Sequence, residues 1–377
     1  MVRILNLIWT LQGGGAEGQL ARLALALGQR GHEVHVGFVH DGVQSRALTA
    51  GACTTHHIRT AAKYDPLLPV RVGALMNRVK PDVVHTWLTY MDVLGGVNAL
   101  VRRLPWVMSE RSAALSYPPT PVNRLRVGLG RRADLIVANS AGGADYWRTH
   151  GVEPARVEIV PNHVAAEDIA AARPLDDPRI GRSDDLILHV GRLSAEKNVD
   201  ALVRVFAAVH RARPTAKLAF CGDGPLMNST KEAVASSGLT SHVVFAGFVT
   251  NVAAWLKRAN VLVALSRCEG HPNAVLEATV AGVPLVLADI AAYRSLCADR
   301  DALFVPLTDE RAISDAILIT LSDTSAAAGR AAAARQELSV ASIEATATRY
   351  EHAYDRAIAA ALRGRTAAER SRNAAAK

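Results

Sequence analysis

Two pairs of charged residues in the second half of the chain have the types and spacing needed to bind a ligand that carries phosphates and hydroxyls. Glu269 and Glu277, eight residues apart, can contact separate parts of one extended ligand. Between them, Gly270 lets a ligand approach the backbone, and the free amides of the following helix start favour anionic or hydroxyl-rich groups. Arg192 and Lys197 precede another helix start, which suits a diphosphate because cations and amides together neutralise it. Taken alone, both pairs are also consistent with solvated surface side chains.

Each pair is predicted to lie at the carboxyl end of a buried strand, followed by a helix. The predicted elements are strands at 186–190, 260–265 and 283–287, a helix at 199–211, and a turn at 269–273 with Pro272 at the first helical position. Open α/β sheets bind ligands at the carboxyl ends of their strands. We therefore expect both pairs to belong to one site.

The alternation of apolar runs and helical patterns predicts the α/β class, with doubly wound parallel sheets. In the first half, strand patterns occupy 2–8, 33–39, 83–85, 106–109 and 135–138, and helical patterns occupy about 16–29, 67–79, 90–103, 122–131 and 141–149. In the second half, further strands end at the turn from Cys221 to Leu226 and at the segment from Ala246 to Val249. Helical patterns follow at 310–321 and 341–361.

Length, composition and cysteine spacing indicate a cytoplasmic protein of two domains. The 377 residues are enough for two hydrophobic cores, and 50% are apolar while 21% are charged. No apolar run approaches the ~18 residues that a membrane span needs. The four cysteines, at 53, 221, 268 and 297, form no C-x-x-C pair, which predicts reduced thiols rather than a disulfide framework or a zinc site.

The basic surplus of the chain lies almost wholly in its first half. Residues 1–160 contain 18 Lys and Arg against 11 Asp and Glu, whereas the rest of the chain is nearly balanced. The densest part is a predicted amphipathic helix at 122–131 with its neighbours; its arginines are Arg102, Arg103, Arg124, Arg126, Arg131 and Arg132. Such a face suits anionic lipid head groups or nucleic acid. A solvated arginine-rich helix remains an alternative.

Further candidates lie at predicted strand ends of the first half. Gly14 and Gly15 belong to a glycine-rich turn after the first strand, where a backbone can approach a phosphate or a sugar. His85, Glu110 and Arg111 end two later strands and are candidate ligand contacts for that reason. An ion pair between Glu110 and Arg111 that holds the cleft together is an equally good interpretation of these two residues.

Several of these segments together resemble the family 4 retaining glycosyltransferases, enzymes of GT-B fold that use nucleotide sugars. Glu269 to Glu277 resembles the E-x7-E element of that family, and Gly191 to Asn198 resembles its diphosphate-binding G-R-L-x-x-x-K-N element. Cys221 to Leu226 is similar to its G-D-G-P turn, and Val160 to Val164 to its interdomain turn. The likeness runs from the first residues to about Tyr354.

The resemblance implies a GT-B fold, in which two Rossmann-like parallel-sheet domains face a central cleft. Residues 1–162 would form the acceptor domain, completed by a C-terminal helix at about 341–362. Residues 183–338 would form the nucleotide-sugar domain, 166–183 the linker, and 363–377 a frayed polar tail.

The resemblance also assigns roles to residues. Arg192 and Lys197 would stabilise the departing diphosphate, Glu269 would bind sugar hydroxyls near the reacting carbon, and Glu277 would hold the ribose. Other donor contacts would be Gly14, Gly15, Gly222, Gly224, Phe248, Val249, Gly270, His271, Pro272, Asn273 and Ala274. The acceptor side would include His85, Glu110 and Arg111. No metal or other cofactor is expected, because leaving-group stabilisation by the two cations suffices.

The predicted function is transfer of a sugar, with retention at the anomeric carbon, from a nucleoside diphosphate sugar, by family frequency a UDP-sugar. The acceptor would be a glycan or a lipid-linked glycan of cell-surface polysaccharide or glycoconjugate synthesis. We expect a cytoplasmic enzyme that contacts the anionic inner face of the membrane, without a nucleic-acid partner. Two alternatives remain: a nucleotide-sugar epimerase of the same fold, and a non-catalytic protein that binds sugar nucleotides.

Overall fold

The computed structural model describes residues 1–62, 65–112, 117–338 and 341–375, with side chains described as far as residue 363. The chain divides into two α/β units. The first comprises Met1–His163 and the chain from Ala341 onward, and the second comprises Val164–Val340. The predicted turn around Asn162 thus lies where the first unit gives way to the second.

The first unit is built on a seven-stranded parallel sheet of order β3-β2-β1-β4-β5-β6-β7. Its strands are β1 (Arg3–Thr10), β2 (Glu33–His40), β3 (Cys53–His57), β4 (Val83–Trp87), β5 (Trp106–Glu110), β6 (Leu135–Ala138) and β7 (Val157–Ile159). Its helices are α1 (Gly15–Gln29), α2 (Val43–Ala50), α3 (Leu68–Val79), α4 (Leu88–Arg102), α5 (Pro121–Gly130), α6 (Ala141–Thr149) and, at the end of the chain, α15 (Ile343–Ala375). The inner strands are buried on both faces, which explains why their sequences are continuous apolar runs.

The second unit has a six-stranded parallel sheet of order β10-β9-β8-β11-β12-β13. Its strands are β8 (Asp185–Val190), β9 (Ala216–Cys221), β10 (Val243–Gly247), β11 (Val261–Ala264), β12 (Leu285–Ala288) and β13 (Leu303–Val305). Its helices are α7 (Ala166–Ala171), α8 (Val199–Ala212), α9 (Met227–Ser236), α10 (Val252–Arg258), α11 (Asn273–Ala281), α12 (Ala291–Arg294), α13 (Glu310–Ser322) and α14 (Thr324–Glu337). Helix α8 illustrates why the apolar pattern predicts a helix: Leu202, Phe206 and Val209 recur at helical spacing and form its buried face.

Two boundary predictions are corrected by the structure. The segment 166–183 is more than a linker, because α7 buries Ile169 in a small cluster with Val164 and Leu276 of the second unit. The segment after residue 363 continues α15 in its backbone as far as Ala375, where a frayed tail was expected. The last two positions of that predicted tail lie outside the described residues.

Helix α15 belongs to the core of the first unit, although it is the last element of the chain. Tyr350 and Tyr354 are 2% and 1% exposed and pack in the apolar cluster that includes Ile4 and Val107. At the edge of this contact, the Glu351 carboxylate pairs with Arg30 of α1 at 2.6 Å. The hydrogen bond from Arg30 holds the pKa of Glu351 at about 2 despite partial burial.

In the described part of the chain, no helix is long and apolar enough to cross a membrane.

Candidate active site

The strand order of the second unit places both charged pairs beside one crevice. The order reverses between β8 and β11, so the loops after these neighbouring strands leave toward opposite faces of the sheet. Such a reversal opens the crevice in which α/β sheets bind ligands. Arg192 and Lys197 follow β8, and Glu269 follows β11.

The loop after β8 is shaped by close backbone packing. A Cβ atom on Gly222 would lie 1.9 Å from the carbonyl oxygen of Gly191, and one on Gly224 would lie 2.3 Å from the carbonyl oxygen of Leu193. Only glycine fits at these two positions. Both glycines were predicted to contact the donor. The structure shows in addition that they pack against the backbone of the loop that carries Arg192 and Lys197.

Lys197 and Glu269 meet directly, although they are 72 positions apart. The Lys197 ammonium donates to Oε1 of Glu269, and the two side chains are 22% and 14% exposed. The Ser266 hydroxyl donates to the same oxygen at 2.7 Å, and the Tyr293 hydroxyl lies 3.4 Å from it. These contacts all use Oε1, so the pair is fixed through one carboxylate oxygen.

The electrostatic environment keeps the neighbours of this ion pair neutral. Burial, reinforced by the negative charge of Glu269, raises the pKa of Tyr293. Burial, reinforced by the positive charge of Lys197, lowers the pKa of His189 to about 4. At neutral pH, Lys197 and Glu269 are therefore flanked by an uncharged phenol and an uncharged imidazole.

Arg267 connects the two loops and was not recognised from the sequence. Its guanidinium donates to Oδ1 of Asn198 at 2.8 Å, and its backbone amide donates to the carbonyl oxygen of Glu196 at 2.8 Å. Asn198 itself has a left-handed φ of 55° at the start of α8. Arg192, by contrast, is an exposed residue of the loop after β8.

The start of α11 differs slightly from the prediction. Pro272 is the residue before the helix rather than its first residue, and the helix begins at Asn273. Glu277 therefore lies about one turn inside the helix and is half-buried. The segment from Gly270 to Ala274, which includes His271, forms the turn and first residues of the helix, so its amides lie at the same edge of the sheet as Glu269.

The predicted base-binding edge lies at the end of β10. Gly247 has a left-handed φ of 66°, and the next side chain, Phe248, is 43% exposed. Val249 is only partly buried, against the apolar cluster that includes Val244 and Leu256. An exposed aromatic ring after a glycine turn is accessible to a planar ligand, and base contact by Phe248 and Val249 stays a prediction.

In the first unit, Gly14 and Gly15 form the start of α1. A Cβ atom on Gly14 would lie 2.3 Å from Oε2 of Glu17, so the carboxylate of this buried glutamate occupies the space beside the glycine. A side chain at position 14 would displace that carboxylate. Donor contact by Gly14 and Gly15 stays a prediction.

His85 is a core residue, which corrects the prediction that it contacts the acceptor. Strand β4 continues past it to Trp87, so His85 lies in the middle of the strand and is 0% exposed. Its Nδ1 lies 2.9 Å from the Tyr354 hydroxyl and its Nε2 lies 2.8 Å from the Ser109 hydroxyl. Burial lowers its pKa well below the ordinary value.

Glu110 is likewise internal, and it forms an ion pair, but with Arg126 rather than with Arg111 as the alternative interpretation had it. The Arg126 guanidinium lies between the carboxylates of Glu110 at 3.0 Å and Asp92 at 2.7 Å, and all three side chains are at most 1% exposed. Glu110 also accepts hydrogen bonds from the Tyr117 hydroxyl at 2.6 Å and the Trp147 indole at 2.9 Å. This buried cluster also removes Arg126 from the predicted basic face of α5.

Arg111 is half-buried rather than enclosed. Its guanidinium donates to Oδ1 of Asn162 at 2.6 Å and lies over the ring of Trp87, 5.0 Å from its centroid. Acceptor contact by Arg111 remains a prediction.

These features define a class of protein. It has two parallel-sheet α/β domains, and one of them carries a cation–carboxylate pair, on loops that require glycine, at the point where its strand order reverses. Comparison with known proteins identifies the family. A model of the group 1 glycosyl transferases matches residues 184–323, and a model of glycosyltransferase family 4 matches residues 13–168. The two matches together cover most of the chain, which therefore belongs to the glycosyltransferases. The prediction that the chain is a family 4 glycosyltransferase is confirmed.

Relatives agree with this assignment, and a solved structure agrees with the fold. The chain is 31% identical over 236 residues to an uncharacterised glycosyltransferase of Methanocaldococcus jannaschii, and this match spans 58% of each chain. It is 25% identical to a Campylobacter jejuni N-acetylgalactosaminyltransferase whose acceptor is a diphospho-undecaprenol-linked sugar, over 75% of this chain and 79% of that one. The crystal structure of Anabaena HepE with UDP-glucose has a TM-score of 0.81 at 19% identity, covering 93% of this chain and 100% of that chain. That likeness confirms the predicted GT-B fold.

Proposed function

We propose that this protein transfers a sugar from a UDP-sugar, with retention of anomeric configuration, to a lipid-linked glycan of cell-surface polysaccharide synthesis. The observation that carries the proposal is the contact between Lys197 and Glu269 where the strand order of the second unit reverses, between β8 and β11. It joins a cation suited to a departing diphosphate to a carboxylate suited to sugar hydroxyls. The UDP-glucose bound by HepE and the lipid-linked acceptor of the Campylobacter relative support the two substrate classes.

In this proposal the cationic residues bind the diphosphate and the carboxylates bind hydroxyls. Lys197 and Arg192 neutralise the diphosphate as negative charge develops on its leaving oxygen, which is the largest stabilising effect such a site can supply. Glu269, held through Oε1 by Lys197 and Ser266, offers Oε2 to the hydroxyls of the transferred sugar. Glu277 binds the ribose, and the amides from Gly270 to Asn273 bind the sugar.

The chemical step needs no protein nucleophile in this proposal. The bond between the anomeric carbon and the phosphate oxygen breaks while the acceptor oxygen bonds to that carbon from the same face. The acceptor proton passes to the departing phosphate oxygen, so the products are the glycoside and UDP. This route relies on stabilisation of the leaving group, for which the two cations suffice without a metal.

Calorimetric titration in EDTA tests the donor assignment. We expect saturable binding of UDP and of one UDP-sugar, because Lys197, Arg192 and the helix-start amides supply the diphosphate contacts without a metal. GDP carries the same diphosphate and ribose and is therefore the matched control for the base; the UDP assignment requires it to bind at least about tenfold more weakly. Binding of neither nucleotide, or binding of GDP as tight as that of UDP, would contradict the proposal. Conversion of the UDP-sugar to its epimer without any acceptor, followed by NMR, would favour an epimerase instead.

We also propose that the protein works at the cytoplasmic face of the membrane, through the surface of α4 and α5. These helices pack together, and their large exposed apolar side chains are Val97, Val101 and Leu125 at 39%, 74% and 50% exposure. Four exposed arginines belong to the same two helices or directly follow them: Arg103, Arg124, Arg131 and Arg132. Apolar side chains with basic neighbours suit insertion among anionic head groups.

Replacing Val101 and Leu125 with serine should weaken binding to phosphatidylglycerol vesicles about tenfold, because apolar burial is lost while charge is kept. Co-sedimentation at low salt measures the effect. Ile319→Ser, at a position 53% exposed in the second unit, is the matched control and should bind as the wild type does. Equal binding of the double variant and the wild type would refute this surface.

A further inference from the structure

The first unit has its own strand-order reversal, and three aromatic rings surround it. Its sheet order reverses between β1 and β4, as the order of the second unit does between β8 and β11. Trp9 is the next-to-last residue of β1, Tyr90 is the third residue of α4 directly after β4, and His40 ends the adjacent strand β2. The strand and helix ends near this reversal therefore carry aromatic rings, with Trp9 partly buried against the apolar core of the unit, whereas the corresponding ends in the second unit carry charges.

The rings form one contiguous surface. The Trp9 and Tyr90 ring centroids are 4.9 Å apart at an interplanar angle of 30°, and the Trp9 and His40 centroids are 5.3 Å apart at 74°. Trp9 and Tyr90 are half-buried and His40 is exposed. The indole N–H of Trp9 has no hydrogen-bond partner among the described residues and is not buried.

The backbone that carries Tyr90 is held in an unusual conformation. Leu88, the first residue of α4, has a left-handed φ of 69°, which is unfavourable for a leucine. This conformation starts α4 immediately after β4, without an intervening loop, and so keeps Tyr90 beside Trp9. Residues held in unfavourable backbone conformations concentrate at ligand sites, where the strain is offset by the surrounding structure.

We propose that Trp9, Tyr90 and His40 form a subsite that binds an uncharged pyranose ring of the acceptor. A sugar ring has apolar C–H faces that pack on aromatic rings, and hydroxyls that hydrogen-bond to an indole N–H, a phenol or an imidazole. The proposal rests on the proposed function, since it names the part of the acceptor that the first unit recognises. A nucleobase would also stack on such rings, and the test below separates the two ligands.

Saturation-transfer NMR with methyl α-glycosides of glucose, galactose and N-acetylgalactosamine, in the presence of UDP, tests the subsite. We expect transfer from protein aromatic protons to at least one glycoside, and about a tenfold loss of affinity in Trp9→Leu and Tyr90→Leu. Trp9→Phe should retain part of the affinity because it keeps a ring. Tyr146→Leu, which removes a half-buried aromatic ring of α6, is the control and should bind as the wild type does.

The outcomes distinguish this inference from the proposed function. Unchanged glycoside binding in Trp9→Leu and Tyr90→Leu, or no glycoside binding by a wild-type protein that binds UDP, would overturn the subsite and leave the donor assignment intact. Weaker UDP binding in these variants would overturn it in favour of a nucleobase site. A wild-type protein that binds no UDP would contradict the proposed function itself. The melting temperature of each variant establishes that it is folded.

Discussion

Replacing Lys197 with alanine should lower the rate of sugar transfer about 10²–10³-fold, with little change in the KM for the acceptor. The ammonium is held beside Glu269 at the crevice where the leaving diphosphate would lie. Its charge becomes most favourable as the bond to phosphate breaks, so its loss weakens the transition state more than the bound substrate. Steady-state kinetics with saturating donor measures the effect as a fall in kcat.

Three variants make this result specific. Lys197→Arg keeps a cation and should recover part of the rate. Glu269→Gln keeps the shape of the carboxylate while removing its charge, and should impair transfer by a similar factor because it releases Lys197 and weakens the sugar contact. Lys217→Ala removes a lysine near the amino end of β9, whose ammonium donates to the Ser241 carbonyl oxygen, and should leave the rate unchanged. A Lys197→Ala rate within about threefold of wild type would contradict the role of this residue.

Replacing Arg126 with methionine should lower the free energy of unfolding by about 3–5 kcal/mol. The guanidinium is the shared partner of the Asp92 and Glu110 carboxylates, and all three groups are buried. Without it, two like charges remain in the core with no opposite charge between them. Urea denaturation, with midpoint and slope compared to wild type, measures the change.

The pH dependence of this variant provides an internal check. Burial raises the pKa of Asp92 to about 6 from an ordinary value of 3.8, so the folded protein holds this proton more tightly than the unfolded chain does. This group therefore makes folding less favourable as pH rises from about 4 to about 6. Removal of the Arg126 charge raises that pKa further, so the deficit of Arg126→Met should be larger at pH 8 than at pH 5. A deficit independent of pH would show that lost packing, and not charge, is responsible.

A compensated variant separates the ion cluster from the acceptor role that the sequence suggested for Glu110. Arg126→Met combined with Asp92→Asn and Glu110→Gln leaves no net charge in the core and should recover most of the lost stability. Transfer activity of this folded variant should remain close to wild type, because Glu110 is enclosed and does not reach a ligand. A large loss of activity without a loss of stability would restore a direct role for Glu110.

The apolar pattern predicts most of the fold because buried parallel strands and amphipathic helices leave strong signals. Helix α6 and strand β6 lie where they were predicted, residue for residue. Strand β3 was missed because its sequence, Cys53–His57, is polar and lies at the edge of the sheet. Helix α14 was missed because it is alanine-rich and its buried positions, such as Ala327 and Ala331, do not stand out from the exposed ones.

The candidate site could be predicted only as far as local sequence determines it. Arg192, Lys197, Glu269 and Glu277 stand out because each lies next to a strand end and a helix start. The support around them comes from distant positions: Tyr293 contacts Glu269, and Arg267 binds Asn198 across two loops. Likewise, nothing local to Glu110 indicates that Arg126 and Trp147 enclose it, because that arrangement depends on how α5 and α6 pack.

The most direct test of the central claim is transfer of radiolabelled sugar, in EDTA, from the UDP-sugar that binds best to a panel of undecaprenyl diphosphate-linked monosaccharides. The wild-type protein is expected to move label into the lipid fraction with release of UDP, and Lys197→Ala is expected to move almost none. NMR of the product should show the anomeric configuration of the donor.

Label transfer at equal rates by both proteins would contradict the assignment of Lys197. A product of inverted configuration would contradict the retaining mechanism, and absence of transfer to every acceptor by a protein that binds the donor would contradict the lipid-linked acceptor.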